Sequence, residues 1–275
     1  GGREELDGGP GILDYGSLMW IALERCKTAR EAIALMDELC QEYGYQCSGE
    51  SFTIADKNEV WIMELIGKGK EEMGAVWVAL RMPDDMISAH ANHSRIRKFP
   101  LKDKENCLYS KDVISFARKK GYFTGKDKDF SFSEAYAPID FGAKRYCEAR
   151  VWSFFNKWAA EDMKPYLPYA MGEDVNSETK QPIDGIPHEM PLWVKPKQFL
   201  STQDVKDMMR DHYEGTPMDI TNGLGSLPWQ MPYRVTPLSY KVDGKEYFNE
   251  RPISTVQSSA IYVAQMRDWL PDYIG

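Results

Sequence analysis

A mixed α+β fold, with helices layered on an antiparallel sheet, is the class this sequence predicts, and three observations predict it. The hydrophobic period is helical up to Gly44 and becomes extended from Ser51. The two central extended runs, Val60-Trp-Ile-Met63 and Ala75-Val-Trp-Val-Ala-Leu80, are apolar at consecutive positions, so both of their faces need cover. Helical patterns then return downstream of Ser110. With 275 residues, 43% of them hydrophobic and 12% aromatic, the chain has material for a substantial core.

The elements follow in order. After the Gly8-Gly9-Pro10-Gly11 opening, residues 18–26 are apolar and helix-compatible. Thr28-Ala-Arg-Glu31 is a capping box that starts a second helix running towards Gly44, with Ala32, Ile33, Met36, Leu39, Cys40 and Tyr43 on one face. Four β-rich runs, at residues 52–55, 60–66, 75–81 and 86–90, are separated by turn sequences and predict an antiparallel meander. Ser110 is placed to cap a helix that ends near Gly121, and residues 146–158 form an aromatic-rich helix. Residues 164–196 are proline-rich and read as a long irregular excursion or lid. Residues 201–213 predict an amphipathic helix ended by Gly215. The Asp243-Gly244 pair between residues 239–242 and 245–248 is a strong hairpin signal, and residues 253–257 and 260–265 read as two more strands.

Composition narrows the function. A net charge of −8, with acidic and basic residues interleaved and no basic stripe, argues against nucleic acid as a partner. The longest apolar stretches, residues 17–23 and 75–80, fall far short of the roughly 20 residues that span a bilayer. Gly1-Gly2-Arg3-Glu4-Glu5 has none of the features of a signal peptide. The five cysteines, Cys26, Cys40, Cys47, Cys107 and Cys147, include no CxxC pair, so they read as free, semi-buried thiols, with one Cys40–Cys47 bridge left open.

Several side-chain groups carry candidate chemistry, each with a plainer reading beside it. His90-x-x-His93 lacks a third ligand at metal spacing and is better read as ordinary polar residues at a strand end; no metal or cofactor is called for. No GxSxG elbow, P-loop or GxGxxG loop is present. Ser88-Ala-His90-Ala-Asn92-His-Ser-Arg95 is a polar cluster where a strand leaves the sheet, so His90 and Asn92 are candidates to line a cleft. The Asn92 amide suits an oxyanion, although composition alone favours a turn. Arg145 and Arg150 open an otherwise apolar helix, where a structural ion pair is the default and a fork on a substrate carboxylate the alternative. The charged run from Asp207 to Gly215 is read as a solvated helix face.

Taken in order, Gly11-Ile-Leu-Asp-Tyr-Gly-Ser-Leu-Met19, Ser48-Gly-Glu-Ser-Phe-Thr-Ile-Ala-Asp56, Glu59-Val-Trp-Ile-Met-Glu-Leu65, the Asn92 cluster, Arg150-Val-Trp-Ser-Phe-Phe155, Met209-Arg-Asp-His-Tyr-Glu-Gly-Thr-Pro217 and Arg251-Pro-Ile-Ser-Thr-Val-Gln257 resemble the C69 peptidases, the dipeptidase A and secernin-like group. The resemblance covers nearly the whole chain. It implies a four-layer αββα sandwich of the N-terminal-nucleophile hydrolase type, and hydrolysis of dipeptides by a cysteine exposed as the first residue of the mature enzyme. Short peptides are the implied partners, and a homo-oligomer is compatible with it. Asn92 matches the position of an active-site Asn in related amidases, Arg145 or Arg150 falls near their active-site Arg, and His90 is a substrate-contact candidate.

The departure from the family pattern is at the start. Residue 1 is Gly, and no Cys, Ser or Thr lies among the first ten residues. Cys26 is no substitute, since a cysteine inside a helix has no free α-amine. Residues 1–275 are therefore expected to be the central portion of a single peptidase domain, lacking the nucleophile strand and the C-terminal strands, and inactive alone. Two alternatives stand beside this reading: an amidase of the same fold acting on acyl-amino acids, and a non-catalytic binding relative. The odd cysteine count leans towards a reducing compartment, and relatives with leader segments lean towards export, the direction slightly preferred.

Overall fold

The computed structural model describes residues 2–233, 239–258 and 260–271. They form two compact units, one of Gly1–Ile139 with Met266–Gly275 and the other of Asp140–Gln265. Helices and antiparallel strands are both present, as the α+β class requires. No helix among the described residues is long and apolar enough to cross a membrane.

In the first unit, α1 (Tyr15–Arg25) is capped by Asp14, whose carboxylate accepts the Ser17 N–H at 2.7 Å. It buries only Leu18 and Ala22 and leaves Trp20 and Leu23 exposed. Helix α2 (Ala29–Tyr43) begins with the expected capping box: Thr28 Oγ1 accepts the Glu31 N–H, and the Glu31 carboxylate accepts the Thr28 N–H, each at 3.2 Å. Its apolar stripe is buried from Ala29 to Cys40. Gly44 ends the helix at φ +71°, and a Cβ there would lie 2.7 Å from the Gly11 Cα, so the close approach of the two backbones requires glycine.

The sheet has the order β1 (Gly49–Ala55), β2 (Val60–Gly67), β3 (Ala75–Arg81), β5 (Cys107–Tyr109), all antiparallel. Alternation divides the two faces. Trp61, Met63, Leu65, Trp77 and Ala79 join the core beneath α1 and α2, and Ile62, Glu64, Ile66, Val76 and Val78 occupy the opposite face, which is also buried. The continuous apolar runs therefore are strands covered on both sides. Trp77 Nε1 donates to Asp37 at 2.8 Å and ties β3 to α2.

The fourth strand of this sheet is β5, not the expected run at residues 86–90. That run contributes only β4 (Ile87–Ser88), outside the four-stranded sheet. Beyond β4 the chain is held by side-chain bonds and, at its end, by the Ile96 and Arg97 carbonyls, which accept the Ser133 and Phe132 N–H groups at 2.9 and 3.0 Å. Ser110 does not cap α3 (Val113–Lys119): its hydroxyl accepts the Trp77 N–H at 3.1 Å, extending the β3 pairing, and Asp112 takes the N-cap position without a side-chain bond. The short α4 (Phe132–Tyr136) closes this unit's aromatic cluster, in which Tyr136 touches Phe116, Phe130 and Phe132.

The second unit starts at α5 (Phe141–Ala143), capped by Asp140, and runs through a π-helical stretch, Lys144–Glu148, into α6 (Ala149–Trp158). Short helices α7 (Ala160–Met163) and α8 (Leu167–Ala170) follow; the rest of residues 164–196 is irregular apart from one 3₁₀ turn and the two-residue β6 (Trp193–Val194). Helix α9 (Thr202–Met208) has a capping box between Ser201 and Asp204 but stops short of the expected residue 213, where Tyr213 takes φ +65°. The hairpin β7 (Ser239–Val242) and β8 (Lys245–Phe248) turns through Asp243 and Gly244, both at positive φ, as the Asp-Gly pair predicts. The strands expected at residues 253–257 and 260–265 are not formed: Thr255–Ser258 is a turn, closed by the Ser258 N–H on the Thr255 carbonyl at 3.0 Å, and the second stretch is irregular; Ser259 lies outside the described residues. All five cysteines are free thiols, Cys40 and Cys47 included.

Candidate functional site

His90 and Asn92 lie in the first unit, Arg145 and Arg150 in the second. In the first, the chain leaving β4 makes a polar turn over residues 89–96. The Arg95 guanidinium donates to the Ala89 carbonyl at 3.0 Å and closes the turn. His90 Nε2 lies 3.0 Å from Thr53 Oγ1 on β1. His93 Nε2 lies 2.9 Å from the Ala137 carbonyl and must carry its proton there to donate. The two histidines thus turn to different partners. Asn92 sits at the exposed tip with φ +56°, a conformation Asn tolerates better than most side chains.

Beneath the turn is a residue the sequence reading passed over. Glu64, in the middle of β2, is 1% exposed, and its carboxylate accepts the Ser94 hydroxyl, the Arg95 N–H at 2.5 Å and the Ile96 N–H at 2.9 Å. Burial pushes its carboxyl up, while those three donors and the Arg95 charge pull the other way. The signal was available: an acidic residue at a position whose strand neighbours are all apolar. His90 is held down to about 4, by burial first and the Arg95 charge second, so its imidazole is neutral at pH 7 and can exchange hydrogen bonds without carrying charge.

In the second unit, Arg145 rises from the π-helical stretch, a backbone irregularity that often marks functional positions. It is 3% exposed. One Nη donates to Glu250, the Phe248 ring lies 5.1 Å from the guanidinium carbon, and Nε and the other Nη have no hydrogen-bond partner among the described residues. Arg145 is therefore ion-paired, as the default reading expects, yet keeps buried donors unused. Arg150 donates from Nε to the Tyr146 carbonyl at 2.7 Å, and burial lowers its pKa.

The charged run from Asp207 to Gly215 only partly meets the expectation of a solvated face. Asp207 and Arg210 pair at the surface at 3.1 Å. Asp211 instead accepts the Ser153 hydroxyl at 2.8 Å, and Tyr213 is fully buried, its hydroxyl donating to the Arg251 carbonyl at 2.7 Å. A further cluster unseen in the sequence joins Lys144, Asp174 and His188: buried Asp174 accepts from Lys144 Nζ at 2.7 Å and lies 2.9 Å from His188 Nδ1.

Chemically, the first unit presents a neutral imidazole and a carboxamide on a clamped turn, and the second presents a guanidinium with spare donors. Both suit the handling of carbonyl and carboxylate oxygens. The chain is 26% identical, over its whole length and 54% of the relative's, to a probable dipeptidase of Salmonella dublin. It is 28% identical to a dipeptidase of Bifidobacterium longum, over 85% of this chain and 41% of that one. A probable dipeptidase B of Streptococcus pyogenes serotype M1 is likewise 28% identical, over 96% of this chain and 45% of its own. The chain thus spans about half the length of the curated relatives it matches. A family model described as peptidase family C69 matches residues 5–275. The chain belongs to peptidase family C69.

Proposed function

We propose that this protein acts as a cysteine-type dipeptidase, and the match of residues 5–275 to peptidase family C69 carries the reading, with relatives named dipeptidase beside it. The proposed reaction runs through an acyl-enzyme: the α-amine of the N-terminal cysteine takes the thiol proton, the thiolate adds to the scissile carbonyl, the C–N bond breaks as that proton passes to the departing amine, and water then hydrolyses the thioester to release the acyl part and restore the thiol. The proposed nucleophile is the N-terminal cysteine that the family reading implies; the five cysteines of these residues are free thiols whose pKa is raised, which does not favour a thiolate.

Asn92 is the proposed donor to the developing oxyanion, a contribution of about 3 kcal/mol for one such donor. His90 is the proposed neutral contact to the peptide. Arg145, with its unused buried donors, is the proposed partner of the substrate's carboxylate, and Arg150 its companion on the same helical run. The fold proposed for the chain is the four-layer αββα sandwich of N-terminal-nucleophile hydrolases; in the first unit, an antiparallel sheet covered on both faces, with two helices on one, supports it. Short peptides are the proposed partners.

The test is hydrolysis of a dipeptide panel by the full-length gene product, with and without a thiol alkylator. Turnover abolished by alkylation supports the reading. Cleavage of acyl-amino acids without release from dipeptides overturns it in favour of an amidase, and binding of peptides without cleavage of either class overturns it in favour of a binding protein.

A further inference from the structure

A carboxylate in the interior of a sheet loses its hydration, and only a full set of hydrogen bonds makes the position tolerable. Glu64 occupies such a position. It is paired in register with Ser51 on β1 and Val78 on β3, so its Cα is fixed from both sides by ladder bonds. Its neighbours on the same face, Ile62 and Ile66, are apolar and buried. For the sheet alone, an aliphatic side chain would serve as well at residue 64. Both carboxylate oxygens are nevertheless engaged from one direction: Oε1 by the Arg95 N–H, and Oε2 by the Ser94 hydroxyl and the Ile96 N–H. Backbone groups that no ladder satisfies are thus bound to the most rigid part of the unit. The Arg95 bond to the Ala89 carbonyl closes the turn above them, with Asn92 at its tip.

We propose that Glu64 is a positioning residue for the hydrolysis: it clamps the turn of residues 89–96 to the sheet and thereby fixes the Asn92 amide. The proposal rests on the reading of Asn92 as the oxyanion donor. A donor gains its catalytic worth from being fixed before the reaction, and a misplacement of about 1 Å can cost on the order of a hundredfold in rate. Gln at residue 64 would offer one acceptor oxygen and turn an NH₂ towards groups that are themselves donors. Asp would keep the charge but draw it back by one methylene.

The experiment uses the full-length protein and two readouts, dipeptide kinetics and amide hydrogen exchange. In Glu64→Gln, exchange in residues 90–96 is expected to accelerate about tenfold or more while β1–β3 stay protected. The same variant should lower kcat by about tenfold to a hundredfold, with KM changed less than about twofold, and Glu64→Asp should recover part of that loss. In an Asn92→Ala background, Glu64→Gln should have little further effect on kcat, because the two act through one group. Ser94→Ala removes one donor, leaves both amides and the carboxylate in place, and should show the same pattern more weakly, which keeps the test open if Glu64→Gln folds poorly. The proposal is overturned if exchange at residues 90–96 is unchanged, if kcat holds while exchange accelerates, or if the effects of Glu64→Gln and Asn92→Ala multiply. Absence of dipeptide turnover in the unmutated protein would remove the dipeptidase reading and with it the catalytic half of the proposal, while the exchange arm still decides whether Glu64 holds the turn.

Discussion

Tyr213 combines two features that seldom meet: a fully buried aromatic side chain and a backbone at φ +65°. Its hydroxyl bond to the Arg251 carbonyl fixes the residue directly after Glu250, the partner of Arg145. Tyr213→Phe leaves that carbonyl without its donor and is expected to destabilise the protein by about 1–2 kcal/mol, measured by urea unfolding. A second residue-scale case is Asp56. Burial works to raise its carboxyl, but the N–H groups of Ala29, Asn58 and Glu59 outweigh it and hold the pKa below the ordinary 3.8. A depressed carboxylate contributes stability that is present above the unfolded value and lost as pH falls through the folded one. Asp56→Asn should therefore flatten the acid limb of the stability curve, measured as urea midpoints from about pH 6 down to about pH 2. An unchanged acid limb would show that these bonds carry no net weight.

Among the elements, the Thr28 capping box is the most local and the most readily weakened: Thr28→Ala is expected to cost about 1 kcal/mol, read as a lower thermal midpoint with no change of fold. The box was legible because its two residues and the apolar stripe behind them lie within one stretch of sequence. The same holds for β2 and β3, whose unbroken apolar runs require a sheet covered on both faces, and for the Asp243-Gly244 turn. Elements defined by distant partners were not legible. The three residues of β5 have no period of their own, and they become a strand only because Val78 to Leu80 pair with them. Ser110 looks like a cap in isolation but is claimed by Trp77. Residues 253–257 carry extended-strand composition, yet turn and attach by the Ser254 N–H to the Asp211 carbonyl. The candidate site divides in the same way. His90 and Asn92 stood out as polar residues bunched at a strand end. Glu64 was hidden inside an apolar strand, and the unused donors of Arg145 depend on Glu250, 105 residues away.

At the scale of the whole molecule, the free thiols described with the fold have a bearing on how the protein will meet an electrophile. Burial pushes Cys40 and Cys107 up to about 12, and it raises Cys26, Cys47 and Cys147 as well. Because the thiolate is the species that reacts, iodoacetamide near neutral pH should label the folded chain far more slowly than the same chain in denaturant, with the half-buried Cys26 and Cys47 ahead of the other three. Peptide mass mapping of a labelling time course checks this, and early adducts on Cys40 or Cys107 in the folded protein would contradict it. The five sulfurs thus form a dark background against which one quick-reacting cysteine would show at once, and their own slow labelling becomes a clock for the opening of the fold.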